Sequence, residues 1–409
     1  MKNLIIIRII SFPLACLPYR AIQQLGKGLG LLGYYCMTRF RKRTLSNLAL
    51  ANELQLSPAE LTTLAKKSFQ NFMITGLEYS KLAEEKHIDR LAIIENPEVA
   101  ENIVKQGKSI IFFGGHQANW EVLFLAITQR MPGVAIGRPL KNKTLYNWVI
   151  KMREQYGGKI ISPNHAIKEG LRALKKGLFL GIVGDQGMPN SGYSSPFLGR
   201  RAFTSSMPAL LAYRTGCPII VTTIKRVDTQ YRIHYSDPIW PQQEQLFENE
   251  IDRMMRQTLS ILEKSIKEIP EQWLWQHNRW KQKTDRHVKI TYRQEAILLI
   301  LPENCQPFYP HLKMLRTLYP LAFITVMLPV SCTDFPTEME MEPIYYTDMS
   351  ECFILDFRFK LLFNFTNNIN LTKHFKRLSV FHAFSMPDPE QVNFEVILNN
   401  KHKKEVNSG

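Results

Sequence analysis

The chain has 409 residues, of which 45% are hydrophobic and 22% are charged, and its formal net charge is +16. This composition is typical of a folded protein with room for more than one core, and it excludes a largely disordered chain. The six cysteines are scattered without a C-x-x-C pair, which argues against a zinc ribbon or a disulfide framework and indicates a reducing compartment. The excess of positive charge predicts an anionic partner, such as nucleic acid, an anionic membrane or an acidic ligand.

Residues 1–45 are predicted to form a membrane-associated, helical segment. Its basic residues alternate with apolar runs, and the first acidic residue is Glu53. The uncharged windows at residues 9–19 and 28–38 are each 11 residues long, whereas a helix that spans a membrane needs about 20 apolar residues. The pattern therefore predicts an interfacial anchor on anionic lipid. A cleaved signal peptide and an ordinary buried helix pair remain alternatives.

A helix is predicted to begin at Pro58, because Ser57 is suited to cap it and Glu60 completes a capping box. Apolar runs and helical patterns then alternate. The predicted strands lie near residues 109–113, 134–138, 159–162, 178–184 and 217–227. The predicted helices lie near residues 117–130, 142–156, 164–176 and 205–215. This alternation predicts an α/β fold with a mostly parallel sheet flanked by helices, and residues 231–236 are predicted to form an antiparallel edge strand.

The pattern of apolar and polar residues changes at about residue 285. Short apolar runs with few helical patterns between them predict a smaller C-terminal domain of the α/β or α+β class. The runs are "AILLILPE", "LAFITVMLPV", "PIYYTD", "FILDFRF" and "FEVILNN". The predicted organisation is an N-terminal segment at 1–45, a main domain at 46–282, a C-terminal domain at 286–400 and a disordered tail at 401–409.

A histidine and a glutamate follow the strand predicted at residues 109–113. Gly114 and Gly115 let the chain turn there, so we expect His116 in the turn and Glu121 in the first turns of the next helix. In that position Glu121 can accept a hydrogen bond from one imidazole nitrogen and leave the other nitrogen as a general base. Such a base serves a hydroxyl that attacks a carbonyl, with backbone N–H groups at the helix start to stabilise the oxyanion.

Other interpretations of these two residues remain open. His116 can be a structural histidine at a strand end, and Glu121 can serve only the helix dipole. A metal site is not predicted, because the spacing lacks an i, i+4 histidine pair and no third ligand lies nearby in the sequence.

The segment "GGHQANWE" resembles the H-x-x-x-x-(D/E) motif of bacterial glycerolipid-type acyltransferases, and specifically of the lipid A late acyltransferase family. Further segments resemble this family in order and spacing, and the likeness covers about residues 1–282. These segments are "IGRPLKN", "MREQYGGKII", "GDQG", "PFLGRRAFTSSMPALLAYRTGCPII" and "PEQWLWQHNRWK". The resemblance implies a glycerolipid-acyltransferase-like fold and a membrane-bound O-acyltransferase. The residues after 285 are outside the family pattern, so their role is open.

The resemblance implies that the enzyme moves an acyl chain from acyl carrier protein to a hydroxyl of a Kdo-modified lipid A precursor. This reaction of lipopolysaccharide biosynthesis would occur at the cytoplasmic face of the bacterial inner membrane, with His116 as general base and Glu121 as its partner. No metal and no cofactor are expected, since acyl-acyl carrier protein is a co-substrate. Another glycolipid acceptor, or acyl-coenzyme A as donor, remains the alternative. Substrate contacts are predicted at Gly115, Asn119, Arg138, Arg153, Asp185 and Gln186.

The predicted substrate contacts rest on the chemistry of the side chains. Arg138 and Arg153 can bind a phosphate of the lipid or of the carrier's pantetheine arm, although each can also be a surface or salt-bridging arginine. Asp185 and Gln186 follow the strand predicted at residues 178–184, at the same sheet edge as His116. A nucleic-acid-binding protein is the alternative of another class. It is not favoured, because the densest positive charge lies among apolar residues and no nucleic-acid-binding module is recognised.

Overall fold

The computed structural model of the chain describes residues 11–332 and 335–398, which form two compact units. The first unit comprises the described residues up to Cys36, Thr63–Gln186 and Thr204–Leu274. The second comprises Met37–Thr62, Gly187–Phe203 and the described residues from Trp275 onward. Each unit combines stretches that are distant in sequence, whereas the predicted domains are continuous. The units therefore do not test the predicted domain boundaries, which stay a prediction. The tail predicted at 401–409 lies outside the described residues.

The helices are named in chain order. They are α1 (Tyr19–Cys36), α2 (Thr38–Leu50), α3 (Pro58–Leu82), α4 (Ile88–Leu91), α5 (Glu98–Lys105), α6 (Trp120–Arg130), α7 (Lys143–Arg153), α8 (Ala166–Lys175), α9 (Met207–Thr215), α10 (Phe247–Glu268), α11 (Tyr309–Leu318), α12 (Ile369–Leu378) and α13 (Phe394–Leu398). The predicted capping box is confirmed at the start of α3, where the Ser57 backbone N–H donates to Glu60 Oε2 at 2.9 Å.

The strands are named in the same way. They are β1 (Ala92–Ile94), β2 (Ile111–Gly114), β3 (Gly133–Ile136), β4 (Lys159–Ile161), β5 (Phe179–Val183), β6 (Ser194–Phe197), β7 (Arg200–Phe203), β8 (Ile219–Val227), β9 (Gln230–Tyr235), β10 (Ala296–Ile300), β11 (Phe323–Pro329), β12 (Glu342–Tyr346), β13 (Leu361–Asn364) and β14 (His382–Ser385).

The first unit contains a seven-stranded sheet in the order β1-β9-β8-β2-β5-β3-β4. All neighbouring strands in it are parallel except β8 and β9, which confirms the predicted mostly parallel sheet. Every residue of β2 is buried, as expected for a central strand. The expectation that β9 forms the edge is wrong, because β1 pairs parallel with its outer side. A strand of three residues is too short to show a period in the sequence.

The helix α1 packs one face against α3 through its glycines. A Cβ atom on Gly30 would lie 2.3 Å from Gln70 Cα, so only glycine permits this approach. A neighbouring face of the helix exposes Leu25, Leu29 and Leu32, which are spaced four and three residues apart. Within residues 11–332 and 335–398, no helix combines the length and the apolar character that a membrane crossing requires.

The second unit contains a five-stranded parallel sheet in the order β12-β11-β10-β13-β14, so the C-terminal region is of the α/β class. Two strand predictions fail there. Residues 353–359 ("FILDFRF") are not a strand, and the strand lies at Leu361–Asn364 instead. The run "FEVIL" forms the short helix Phe394–Leu398, since a short apolar run does not by itself distinguish a helix from a strand.

A disulfide in the second unit joins Cys305 and Cys332, so the expectation drawn from the scattered cysteines, which argued against disulfide bonding, is wrong for this pair. The two residues are 27 positions apart in sequence, but they follow the adjacent parallel strands β10 and β11. Parallel pairing places the carboxyl ends of both strands at one edge, and this brings the two loops together. The same unit buries an ion pair between Lys360 and Glu295, to which Asn278 also donates at 2.9 Å.

Candidate active site

The loop that follows β2 carries the predicted motif. Gly114 of β2 pairs with Val183 of the adjacent strand β5, so His116 and Asp185 each stand two residues beyond a paired strand end. The register therefore sets these two residues side by side at the carboxyl edge of the sheet. Gly115 is needed in this turn, because a Cβ atom there would lie 3.1 Å from Asp185 Oδ2 and 2.9 Å from Leu262 Cδ1.

The imidazole of His116 is held by Asp185, which sequence analysis assigned to substrate contact. Nδ1 of His116 lies 2.6 Å from Oδ1 of Asp185, and the side chain of Asp185 is 2% exposed. The other carboxylate oxygen accepts from the His116 backbone N–H and from Trp273 Nε1, both at 2.7 Å. Burial alone would raise the pKa of Asp185, but the interaction with His116 and these donors holds the pKa below its ordinary value.

This arrangement fixes the tautomer of His116. An ionised carboxylate can only accept hydrogen bonds, so Nδ1 of His116 carries a proton and donates a hydrogen bond to Asp185 Oδ1. Nε2 is then the basic nitrogen, and the Gln186 amide nitrogen lies 3.3 Å from it. The side chain of His116 is 15% exposed, so it is not fully enclosed by the protein. The group can therefore take up a proton from a bound hydroxyl.

The carboxylate of Glu121 is engaged by Arg153, and this differs from the expected bond between Glu121 and the imidazole. Arg153 donates to it twice, from Nε at 2.7 Å and from Nη2 at 2.5 Å. Tyr79 Oη donates at 2.5 Å, and Trp120 Nε1 donates at 3.0 Å. Burial alone would lower the pKa of Arg153, but Glu121 beside it holds the pKa above its ordinary value. Glu121 and Arg153 thus form a partly buried, bidentate ion pair, in which the glutamate is the more buried partner.

Asn119 and Trp120 connect the two pairs. The Asn119 side chain caps α6 by accepting from the Glu121 backbone N–H at 3.2 Å, so it sets the start of the helix that carries Glu121. The Trp120 ring packs edge-on against the His116 ring, with 4.9 Å between the ring centroids. Since the Trp120 indole also donates to Glu121, this side chain contacts both halves of the site.

The structure brings most of the predicted site residues together. Asp185, Gln186 and Gly115 surround His116, while Arg153 pairs with Glu121. Arg138 lies two residues beyond β3, the strand next to β5 in the sheet, and its side chain is exposed. It contacts none of these groups.

Three residues of the site were missed by sequence analysis. Trp273 binds Asp185, Tyr79 binds Glu121, and Trp120 contacts both His116 and Glu121. The segment containing Trp273 carries part of the family resemblance, which was the available signal for it. Nothing in the spacing of Tyr79 marks it, since it lies inside the long helix α3. Among the described residues, no cluster of three or more His, Cys, Asp or Glu side chains is placed to hold a metal ion.

Comparison with known proteins adds to this geometry. Residues 4–282 match the family model described as bacterial lipid A biosynthesis acyltransferase. The chain is 25% identical over 278 residues to the lipid A biosynthesis lauroyltransferase of Escherichia coli (strain K12), which covers 65% of this chain and 87% of that protein. It is 24% identical over 275 residues to the lipid A biosynthesis palmitoleoyltransferase of the same organism, covering 65% of this chain and 86% of the relative.

A lipid A biosynthesis acyltransferase of Shigella flexneri matches to the same extent, at 24% identity over 275 residues, with 65% of this chain and 86% of the relative covered. The matched residues include all of the side chains that form the two pairs around His116 and Glu121. With more than half of its length matched by one family model, the chain belongs to the bacterial lipid A biosynthesis acyltransferase family and is an acyltransferase.

Proposed function

We propose that this enzyme transfers a fatty acyl group from acyl carrier protein to a hydroxyl of a Kdo-modified lipid A precursor. The observation that carries the proposal is the oriented imidazole of His116, whose Nδ1 is bound by Asp185 and whose Nε2 lies at the carboxyl edge of the sheet. An acyl transfer to a hydroxyl needs one such base. Family membership supplies the reaction class and the lipid A pathway.

In the proposed reaction His116 Nε2 removes the proton of the acceptor hydroxyl as its oxygen attacks the thioester carbonyl. The new C–O bond gives a tetrahedral oxyanion, and its collapse breaks the C–S bond. The carrier's sulfur leaves and takes up the proton from the imidazolium. Asp185 stabilises the imidazolium between these steps, since its carboxylate is 2.6 Å from Nδ1.

We assign Glu121 and Arg153 to charge stabilisation at the same site. Glu121 occupies Nε and Nη2 of Arg153, which fixes the plane of the guanidinium. The two bonds to Glu121 do not use Nη1, and the Arg153 side chain is 19% exposed, so we assign Nη1 to donation toward an oxyanion or a phosphate oxygen of a substrate. Glu121 thus keeps a role in the reaction, but it acts through Arg153 and not through the imidazole. The backbone N–H groups of Glu121 and Val122 at the start of α6 both donate to Asn119, so the oxyanion donors expected there are not supplied by these two groups.

The proposed place of the reaction is the cytoplasmic face of the inner membrane. The exposed leucine face of α1 and the basic residues around it support an interfacial anchor, which would keep the site near its lipid acceptor. Transfer to another glycolipid, or from acyl-coenzyme A, uses the same chemistry and is the alternative function.

The function is tested in a bacterial host that lacks its own late acyltransferases. Expression of this chain should add one acyl chain to the lipid A of that host, measured by mass spectrometry, and a His116→Ala variant should add none. In vitro, purified enzyme should use acyl carrier protein thioesters in preference to coenzyme A thioesters. Unchanged lipid A beside an acylated glycolipid of another class would select the alternative.

The anchor is tested by changing Leu25, Leu29 and Leu32 together to serine. Because burial of each leucine is worth about 1.5 kcal/mol or more, we expect the affinity for anionic vesicles to fall at least about tenfold in flotation assays. The matched control changes the exposed residues Val104 and Val227 and the 75% exposed Leu246 to serine. Equal vesicle binding by the two variants would contradict an anchor on this face of α1.

A further inference from the structure

A third buried carboxylate lies next to the loop between β2 and α6 and has no role in the reaction described above. Glu78 belongs to α3, and its side chain is 0% exposed. Its Oε2 accepts from the Tyr231 hydroxyl and from Asn119 Nδ2 at 2.9 Å. Arg226 Nε lies 3.8 Å from the other oxygen. An ionised group at this depth is costly unless it is paired, so its partners indicate what it is for.

The contact with Asn119 links Glu78 to the start of α6. The Asn119 amide has two different ends: Oδ1 accepts from the Glu121 backbone N–H, and Nδ2 donates to Glu78. A carboxylate can only accept hydrogen bonds, so Glu78 binds Nδ2 of Asn119. Oδ1 of Asn119 then faces the start of α6. Glu78 thereby selects the amide orientation that caps α6. Without that acceptor, the amide can rotate and the cap is lost.

The same face of α3 holds the loop at two further points. Thr75 Oγ1 donates to the Ala118 carbonyl at 2.7 Å, and Tyr79 Oη donates to Glu121. Glu78 and Tyr79 lie three and four residues after Thr75, which places the three side chains on one face of the helix. Ala118 has a φ of +43°, a left-handed conformation that is unfavourable for alanine and persists only where neighbours hold it. The loop next to His116 therefore depends on contacts from α3.

Arg226 closes the network from the other side. The Gln272 side chain binds both backbone groups of Arg226, accepting from its N–H at 2.7 Å and donating to its carbonyl at 3.0 Å. The Gln272 backbone carbonyl accepts from the Ala118 N–H at 2.6 Å. A chain of contacts thus runs from Glu78 through Arg226 and Gln272 back to Ala118, so the loop is held at both of its faces.

We propose that Glu78 is a positioning residue for acyl transfer: through Asn119 it fixes the loop that carries His116 and the helix start that carries Glu121. The inference rests on the proposed role of His116. Glu78 touches neither the imidazole nor, in this scheme, the substrate, so its loss should lower kcat by misplacing the groups that act. Misplacement of about 1 Å can cost about a hundredfold in rate.

The first test compares Glu78→Leu with Glu78→Gln. Leucine removes the acceptor for Asn119, and we expect kcat to fall about tenfold to a hundredfold with a smaller change in KM. Glutamine keeps a carbonyl oxygen that can accept from Asn119, so this variant should retain more of the rate than Glu78→Leu. The control is Glu250→Leu, which removes a carboxylate that is 1% exposed and is bound to Arg253. It should lower the Tm without changing kcat.

The second test measures the energetic coupling between the side chains of Glu78 and Asn119. Asn119→Asp places two carboxylates in contact, so kcat should fall beside the native Glu78. In the double variant Glu78→Gln/Asn119→Asp, the glutamine amide can donate from its nitrogen to the new aspartate. We therefore expect the kcat of the double variant to be at least tenfold higher than that of Asn119→Asp alone. A structural role for Glu78 predicts no such recovery. Asn119→Asp that is equally slow in both backgrounds would overturn the proposal.

A third readout does not depend on turnover. Deuterium exchange of peptides covering residues 114–123 should rise in Glu78→Leu and stay unchanged in Glu250→Leu. If the wild-type enzyme fails to acylate lipid A while this exchange result holds, the proposed function fails and the positioning contact stands. If Glu78→Leu lowers only the Tm, with kcat and exchange unchanged, Glu78 is a stability residue and the inference is wrong. If that variant does not fold, the Asn119→Asp comparison decides.

Discussion

Replacement of His116 by alanine is expected to lower kcat by about 10²–10⁴-fold, the usual contribution of a general base. The imidazole acts mainly in the transition state, so binding of the glycolipid should change little. Asp185 keeps its bonds from the residue-116 backbone N–H and from Trp273 Nε1 in this variant, so we expect the protein to stay folded with a lowered Tm.

The control for this experiment is His234→Ala. His234 lies in the same unit, its side chain is 58% exposed, and its Nδ1 lies 3.8 Å from Glu95, a longer and more exposed contact than the one between His116 and Asp185. This variant should turn over at the wild-type rate. A structural His116 would give another pattern, in which activity and Tm fall in proportion. Near-normal turnover by a well-folded His116→Ala enzyme would end the assignment of His116 as the base.

The location of His116 could be predicted from the sequence, but its partner could not. The continuous apolar run before Gly114 indicates a central strand, and the polar residues after it must then lie at the carboxyl edge. Asp185 follows another such run. Whether the two strands are neighbours depends on the strand order, and β3 and β4 separate them along the chain while β5 adjoins β2 in the sheet. Local spacing contains no information on that order, so Glu121, the nearest acid in sequence, was expected to be the partner.

Glu121 binds Tyr79 and Arg153 and not the imidazole, because the cap of α6 fixes its position in the helix. Asn119 caps α6, so Glu121 is in the first turn, where its side chain meets Tyr79 of α3 and Arg153 of α7. Both of these partners are distant in sequence. The fold predictions failed for similar reasons: three-residue β1 shows no period, and the run "FEVIL" fits a helix as well as a strand. Regular, long elements were predictable, whereas pairings between elements were not.

The exchange Asp185→Asn should be nearly as harmful as the loss of the imidazole itself. Asp185 accepts three hydrogen bonds, from the backbone N–H and Nδ1 of His116 and from Trp273 Nε1. An asparagine has one acceptor oxygen and one donor nitrogen. If its nitrogen faces Nδ1, the ring must carry its proton on Nε2 and cannot act as a base. If its nitrogen faces the other two donors, both are left without an acceptor in the interior.

We therefore expect kcat of Asp185→Asn to fall by about 10²–10⁴-fold, as for loss of the base. Combining this change with His116→Ala should cost scarcely more than His116→Ala alone, because the two residues act as a unit. The matched control is Asp237→Asn, an exposed aspartate of the same unit, which should leave the rate unchanged. A folded Asp185→Asn enzyme with an almost normal rate would show that another group orients the imidazole.

The stability that Asp185 gives the wild-type enzyme should also depend on pH in a defined direction. Burial alone would raise the pKa of Asp185, but His116 and the other donors hold it below its ordinary value in the folded protein. A carboxyl group with a lowered pKa stabilises the fold above its unfolded pKa of about 4, and this contribution is lost as the pH falls through the folded pKa. The difference in unfolding free energy between wild type and Asp185→Asn should thus shrink as the pH falls below about 4, as measured by urea denaturation. A difference that grows below about pH 4 would mean that the pKa of Asp185 is not lowered in the native enzyme, and the tautomer assigned to His116 would then fail with it.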